Sequence, residues 1–138
     1  MRTSRLAIFL VAIILVTTGS AYAQAKRDKA SPALQKEYSA FMEKFRAGLR
    51  ANDVAAVTAM TRFPYFWDNA HRDAAFFRTS VYSKIFTPRV RDCVQRGRGV
   101  YDKDGLNNDN FFVFCGQLIV IFTKTPQGFL MTETGVND

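Results

Sequence analysis

The chain has 138 residues, among them 19 Lys or Arg, 12 Asp or Glu and one His, for a formal net charge of +7. That surplus favours solubility and weak attraction to anionic surfaces, but it is not the footprint of a nucleic-acid binder. With one histidine, two cysteines and no CxxC pair, a Cys/His zinc centre is excluded, and no cofactor is expected.

Arg2 and Arg5 give the N-terminus a positive start, Leu6 to Val16 is an unbroken apolar run, and Ala21-Tyr22-Ala23 has the small-x-small form of a signal peptidase site. The pattern predicts a secretory signal peptide over 1–23. A membrane anchor would need roughly 18 or more apolar residues, and the absence of cysteine at the cut removes a lipid anchor. The mature chain is then expected to be periplasmic or secreted, with no membrane span after cleavage. Residues 24–31, "QAKRDKAS", read as a flexible lead-in, and 32–138 as one domain large enough for a real core.

Leu34, Tyr38, Phe41, Met42, Phe45 and Leu49 repeat at helical spacing after a Ser31-Pro32 start, which predicts a first helix from Pro32 to Arg50. Asn52 or Asp53 can cap a short second helix with Val54, Val57 and Met60 inside. Pro64 ends it, and Arg62 to Trp67 is rich in aromatic residues, as strands are. Asp68 or Asn69 is then expected to cap a third helix carrying Ala70, Ala74, Phe77, Val81 and Ile85 on one side. Thr87-Pro88 opens a short helix, "PRVRDCVQ", that Gly97 should end in a left-handed stop.

Beyond Gly97 the period becomes extended. Val100 and Tyr101 begin a strand, and "DKDGLNNDN" is a polar turn. Phe111 to Phe122, "FFVFCGQLIVIF", is a nearly unbroken apolar run expected to be covered on both faces, with a bulge or bend at Gly116. "TKTPQGF" is a hairpin turn, and Phe129 to Val136 is the last strand. The predicted class is α+β, with N-terminal helices packed on a curved antiparallel sheet. Cys93 and Cys115 read as one disulfide across a loop of about twenty residues, with two separate buried thiols as the alternative.

In this order of elements the chain resembles the nuclear transport factor 2-like superfamily, an α+β cone. The resemblance is carried by the long first helix, "LRANDVAAVTAMTRFPYF", "RDAAFFRTSVYSKIF" and the closing "FFVFCGQLIVIFTKTPQGFLMTE". It implies a fold and not an activity. It also implies a cone that can hold a ligand, here one lined by Tyr65, Trp67, Phe77, Phe112, Phe114, Leu118 and Phe129. Because Phe111 to Phe122 offers no ionisable acid or base besides Cys115, such a cone would take an apolar molecule or be filled by side chains.

Three clusters are candidates for chemistry. "TRFPYFWDNAHRD" holds Asp68, His71 and Asp73, which with Tyr65 could form an acid/base site; as a structural elbow, Asp68 caps, Asp73 favours the helix dipole and the aromatics pack. Arg89, Arg91, Arg96 and Arg98, with Lys84 and Lys103 nearby, could meet an acidic partner, or could be a solvated helix end. Asp102, Asp104, Asn107 and Asp109 offer oxygens for calcium, although their spacing departs from an EF-hand and a plain turn is expected. Together these features predict a non-catalytic domain that binds a small apolar ligand or a protein partner, with a homodimer through the sheet as a further expectation. The alternative is a small isomerase or dehydratase using Asp68, His71 and Tyr65.

Overall fold

The computed structural model describes residues 28–137; the predicted signal peptide and the first half of the lead-in lie outside the described residues. Helix α1, Pro32–Arg50, begins where expected: Ser31 Oγ accepts the Leu34 amide at 3.2 Å, and proline occupies the first turn. Its buried side carries Tyr38, Met42, Phe45 and Leu49, and fully burying side chains of this size contributes about 1.5–3 kcal/mol each. Helix α2, Val54–Ala59, is capped by Asp53, whose Oδ1 accepts the Ala56 amide at 2.9 Å.

The next segment departs from the sequence reading. Strands β1, Tyr65–Trp67, and β2, Ala70–Arg72, form a hairpin in which Tyr65 pairs with Arg72 and Trp67 with Ala70. Asp68 and Asn69 are its two loop residues, with φ of 50° and 55°. Two successive left-handed residues give the turn whose twist suits a two-residue hairpin, and Asp and Asn tolerate that region. Neither therefore caps a helix, and Ala70 is not helical. The cap is Asp73, which accepts the Phe76 amide at 2.8 Å and starts α3, Ala74–Phe76. A π-helical turn over Phe77–Val81 follows, closed by the Tyr82 amide on the Phe77 carbonyl, and α4, Tyr82–Ile85, completes the run. Phe77, Val81 and Ile85 all face the core.

Helix α5, Pro88–Arg96, has Thr87 Oγ1 accepting the Val90 amide at 3.3 Å. Gly97 ends it in extended backbone, at φ −66° and ψ 138°, rather than in the expected left-handed stop. What requires glycine there is space, because a Cβ would fall 2.6 Å from Val113 Cγ1.

Strands β3, Val100–Lys103, β4, Asp109–Cys115, β5, Leu118–Thr125, and β6, Gly128–Val136, form one antiparallel sheet in the order β3-β4-β5-β6. The run from Phe111 to Phe122 is thus two strands and not one. It reverses at Gly116-Gln117, with Gly116 at φ 71° and Cys115 paired with Leu118. The bulge lies instead between Ile121 and Phe122 in the pairing with β6. The fold is α+β: α1 packs on the four-stranded sheet, and the small β1–β2 sheet sits beside β6, where Tyr65 Oη and Thr134 Oγ1 are 3.0 Å apart.

The core lies between the helices and one face of this sheet, formed by Phe111, Val113, Val120, Phe122 and Met131. Tyr38 stacks on Phe111 with ring centroids 3.8 Å apart and an interplanar angle of 4°, and Phe45 meets Phe122 edge-on at 5.0 Å. Cys93 and Cys115 are disulfide-bonded, with Cα atoms 5.7 Å apart, joining α5 to the end of β4.

Candidate functional site

Side chains alternate across a strand, so splitting the long apolar run into a hairpin sends half of its residues away from the helices. Phe112 and Phe114 on β4 stand opposite Ile121 and Ile119 on β5, and Val100 on β3 stands opposite Phe112. These five make an apolar field on the sheet's outer face, where Phe114 is 45% and Val100 44% exposed and the other three are half-buried. Gly135, across from Ile119, adds no side chain to it, and the exposed Glu133, across from Ile121, sets a charge at its β6 margin. Leu106, 85% exposed, borders it in a shallow hollow of about 330 Å³ shared with Phe112 and Ile121.

The same face becomes polar toward the β3–β4 turn. Thr123 Oγ1 donates to Asn110 Oδ1 at 2.6 Å and lies 2.8 Å from Thr132 Oγ1, all three residues being buried. Asp104 organises the turn, accepting the Leu106 and Asn108 amides at 2.9 Å each, Asn108 Nδ2 at 2.8 Å and Asn110 Nδ2 at 3.2 Å. Those donors, the Asn108 side chain first, lower its pKa to about 2. Asp109 accepts from Tyr101 Oη at 2.5 Å, and Asp102 from the Lys103 amide. The oxygens proposed for calcium are thus occupied by the turn's own donors, and no group of three His, Cys, Asp or Glu suited to a metal occurs among the described residues.

The seven residues assigned to a ligand pocket do not share one. Tyr65, Phe77 and Phe129 are buried in the core, Trp67 and Leu118 pack at its margin, and Phe112 and Phe114 lie on the opposite side of the sheet. Inside, Phe41, Phe45, Phe111, Phe122 and Phe129 interlock at ring-centroid distances of 5.0 to 6.1 Å. Aromatic side chains fill the space between the helices and the sheet.

The acid/base candidates are also separated. Phe66 pairs with His71 and Tyr65 with Arg72, which puts Tyr65 and His71 on opposite faces of the β1–β2 hairpin. His71 packs edge-on against exposed Phe66 at 5.5 Å, while Asp68 occupies the turn. Burial pushes the Tyr65 hydroxyl up to about 12, so it stays protonated at neutral pH. The guanidinium of Arg72 lies 4.4 Å from the Phe76 ring centroid, a cation–π contact that ties the hairpin to α3.

Of the four arginines, Arg91 stands apart, and Arg96 lies between Arg89 and Arg98. Arg91 is structural, donating to Asn52 Oδ1 at 2.9 Å and to the Phe86 carbonyl at 3.0 Å. Arg89 and Arg96 flank a cleft of about 640 Å³ beside the disulfide. Arg98 lies in a second groove of about 360 Å³ with Arg46, Arg96 and Tyr38. Lys103 is 3.8 Å from Asp109. Sequence reasoning did not single out Arg46, and it named the sheet as a dimer surface without separating an outer face from the core face. The signal for the face was present: a Gly-Gln pair dividing an apolar run is a two-residue hairpin, and alternation then sorts its residues between the faces.

No protein-family model, curated protein or solved structure matches the chain. A disulfide fits an extracellular or periplasmic protein, and among the described residues no helix is long and apolar enough to cross a membrane.

Proposed function

We propose that this protein is a secreted or periplasmic, non-catalytic binding domain of nuclear transport factor 2-like architecture, and that it works through the outer face of its sheet. The observation that carries this reading is the apolar field of Val100, Phe112, Phe114, Ile119 and Ile121, which no helix among the described residues covers. Exposed apolar patches that are contiguous mark interaction sites, whereas scattered single residues do not. The filled interior favours a protein partner over a small apolar ligand held inside the cone.

The occupant is a second copy of the chain, packed face to face. Each sheet edge is obstructed in part against strand addition. The edge β3 is only four residues long and carries Asp102 and Lys103, and the Met60–Arg62 segment bonds to β6 at Met131. What remains open is the face itself, and an isologous dimer places identical patches together, so that each apolar field meets an apolar field. Sedimentation velocity across a wide concentration range tests this. Wild type is expected to move from monomer to dimer, and Phe114→Glu to stay monomeric with an unchanged fold. A wild-type chain that stays monomeric at millimolar concentration overturns the reading.

A further inference from the structure

A second surface, independent of the sheet face, lies between α1 and the segment that leads from α5 into β3. Gln35, Tyr38, Arg46, Arg96 and Arg98 line this groove, and its volume of about 360 Å³ lies at the low end of small-ligand sites, which span roughly 300–1,000 Å³. Neither Arg96 nor Arg98 has a carboxylate within ion-pair distance among the described residues, although Asp92 sits one helical turn before Arg96. Arg46 is held in place: its Nε donates to the Val94 carbonyl at 2.9 Å and its Nη2 to the Gly97 carbonyl at 2.6 Å. A helix C-terminus repels anions by itself. Here Arg46 covers the last carbonyls of α5 and still presents its remaining N–H groups.

The second observation is a buried hydroxyl. Tyr38 is 4% exposed, its ring is fixed by the stack on Phe111, and its Oη has no hydrogen-bond partner among the described residues. Buried polar groups are normally paired, and an unpaired one calls for an explanation. Gly99 closes over this oxygen: a Cβ there would fall 2.5 Å from it. Arg98 thus sits between two glycines, on the short stretch that covers the hydroxyl at the wall of the groove.

We propose that this groove binds a phosphate- or sulfate-type oxyanion, with Arg46 as the fixed cation, Arg96 and Arg98 closing on the ligand, and Tyr38 Oη as a neutral donor reached when the Gly97-Arg98-Gly99 segment shifts. The bidentate fork of arginine suits tetrahedral oxyanions. Burial pushes the Tyr38 pKa up to about 12, so the hydroxyl keeps its proton and can donate. The anion can belong to a free small molecule or to a lipid headgroup, and both present the same oxygens.

The test uses inorganic phosphate and, separately, vesicles of phosphatidylglycerol in phosphatidylcholine, each against the full mature chain. Titration with phosphate at constant ionic strength, set by chloride, is expected to raise the melting temperature and to shift the amide signals of Gly97 and Gly99. Arg98→Gln should weaken binding about tenfold or more while the melting temperature without phosphate holds, and Tyr38→Phe should weaken it while keeping the fold. Arg78→Gln, outside the groove, should bind as wild type does. Vesicle binding lost in Arg98→Gln assigns a lipid headgroup, whereas binding to phosphate alone assigns a free ligand. If phosphate does no more than chloride and the vesicles do not bind, or if Arg98→Gln binds as tightly as wild type, the proposal fails.

Discussion

Phe114 and Ile119 face each other across β4 and β5, next to the hairpin at Gly116-Gln117, on the side of the sheet that the helices leave bare. Between them in sequence, Cys115 and Leu118 turn inward toward α5 and the core. One short reversal thus divides an apolar run into a half that holds the fold together and a half that the helices leave uncovered.

The disulfide should stabilise without organising the core. Closing a loop with a sequence separation of 22 corresponds to about 3 kcal/mol in the loop-entropy picture. Denaturant unfolding with and without reductant, or of the Cys93→Ala/Cys115→Ala double variant, is expected to show a loss of that order with the same far-UV spectrum.

Relocating the helix cap from Asp68 to Asp73 makes two substitutions diverge. Asp73→Ala removes the acceptor of the Phe76 amide and should cost about 1 kcal/mol. Asn69→Gly should be neutral or slightly stabilising, because glycine adopts the left-handed loop position without strain. Thermal unfolding of the two variants checks the contrast; equal losses would return Asn69 to a capping role.

Asp104 gives the β3–β4 turn an acid limit. Its folded pKa is lowered to about 2, against about 3.9 for an unperturbed aspartate. A lowered folded pKa means that the stabilisation is present above the unfolded value and is lost as pH falls through the folded one. Amide exchange at Leu106 and Asn108 is therefore expected to accelerate between about pH 4 and pH 2, and Asp104→Asn should remove most of that pH dependence.

At the other end of the scale, Tyr38 and Tyr65 ionise late. Burial pushes both to about 12, and a raised folded pKa means stability present below the unfolded value of about 10 and lost as pH rises toward 12. Alkaline titration followed by tyrosinate absorbance should show these two ionising together with unfolding. Tyr65→Phe, which removes the contact with Thr134, should cost about 1 kcal/mol at neutral pH.

Legibility in the sequence followed the uniqueness of each local pattern. Pro32–Arg50 was readable because its cap, its first-turn proline and its apolar spacing agree. The stretch after Trp67 was not, because Ala70, Ala74, Phe77 and Val81 fit a helical period while Asp68-Asn69 serves equally as a cap or as a loop; the pairing of Tyr65–Trp67 with Ala70–Arg72, held against β6 by the contact of Tyr65 Oη with Thr134, decides for the loop. The Phe111 to Phe122 run misled for a related reason: continuous apolarity marks a strand buried on both sides, or one whose outer face awaits a partner, and hydropathy does not separate the two. The disulfide needed only two cysteines and an oxidising compartment, whereas the groove at Tyr38 and Arg46 is built from residues 35 to 99 and has no local signature.

The most direct test of the sheet face is a dilution series followed by methyl NMR. If the outer face joins two copies, the methyl signals of Val100, Ile119 and Ile121 should shift on dilution, while those of Val113 and Val120, one residue away but buried against the helices, should hold still. Shifts confined to other surfaces, or none over a concentration range that spans micromolar to millimolar, would contradict it.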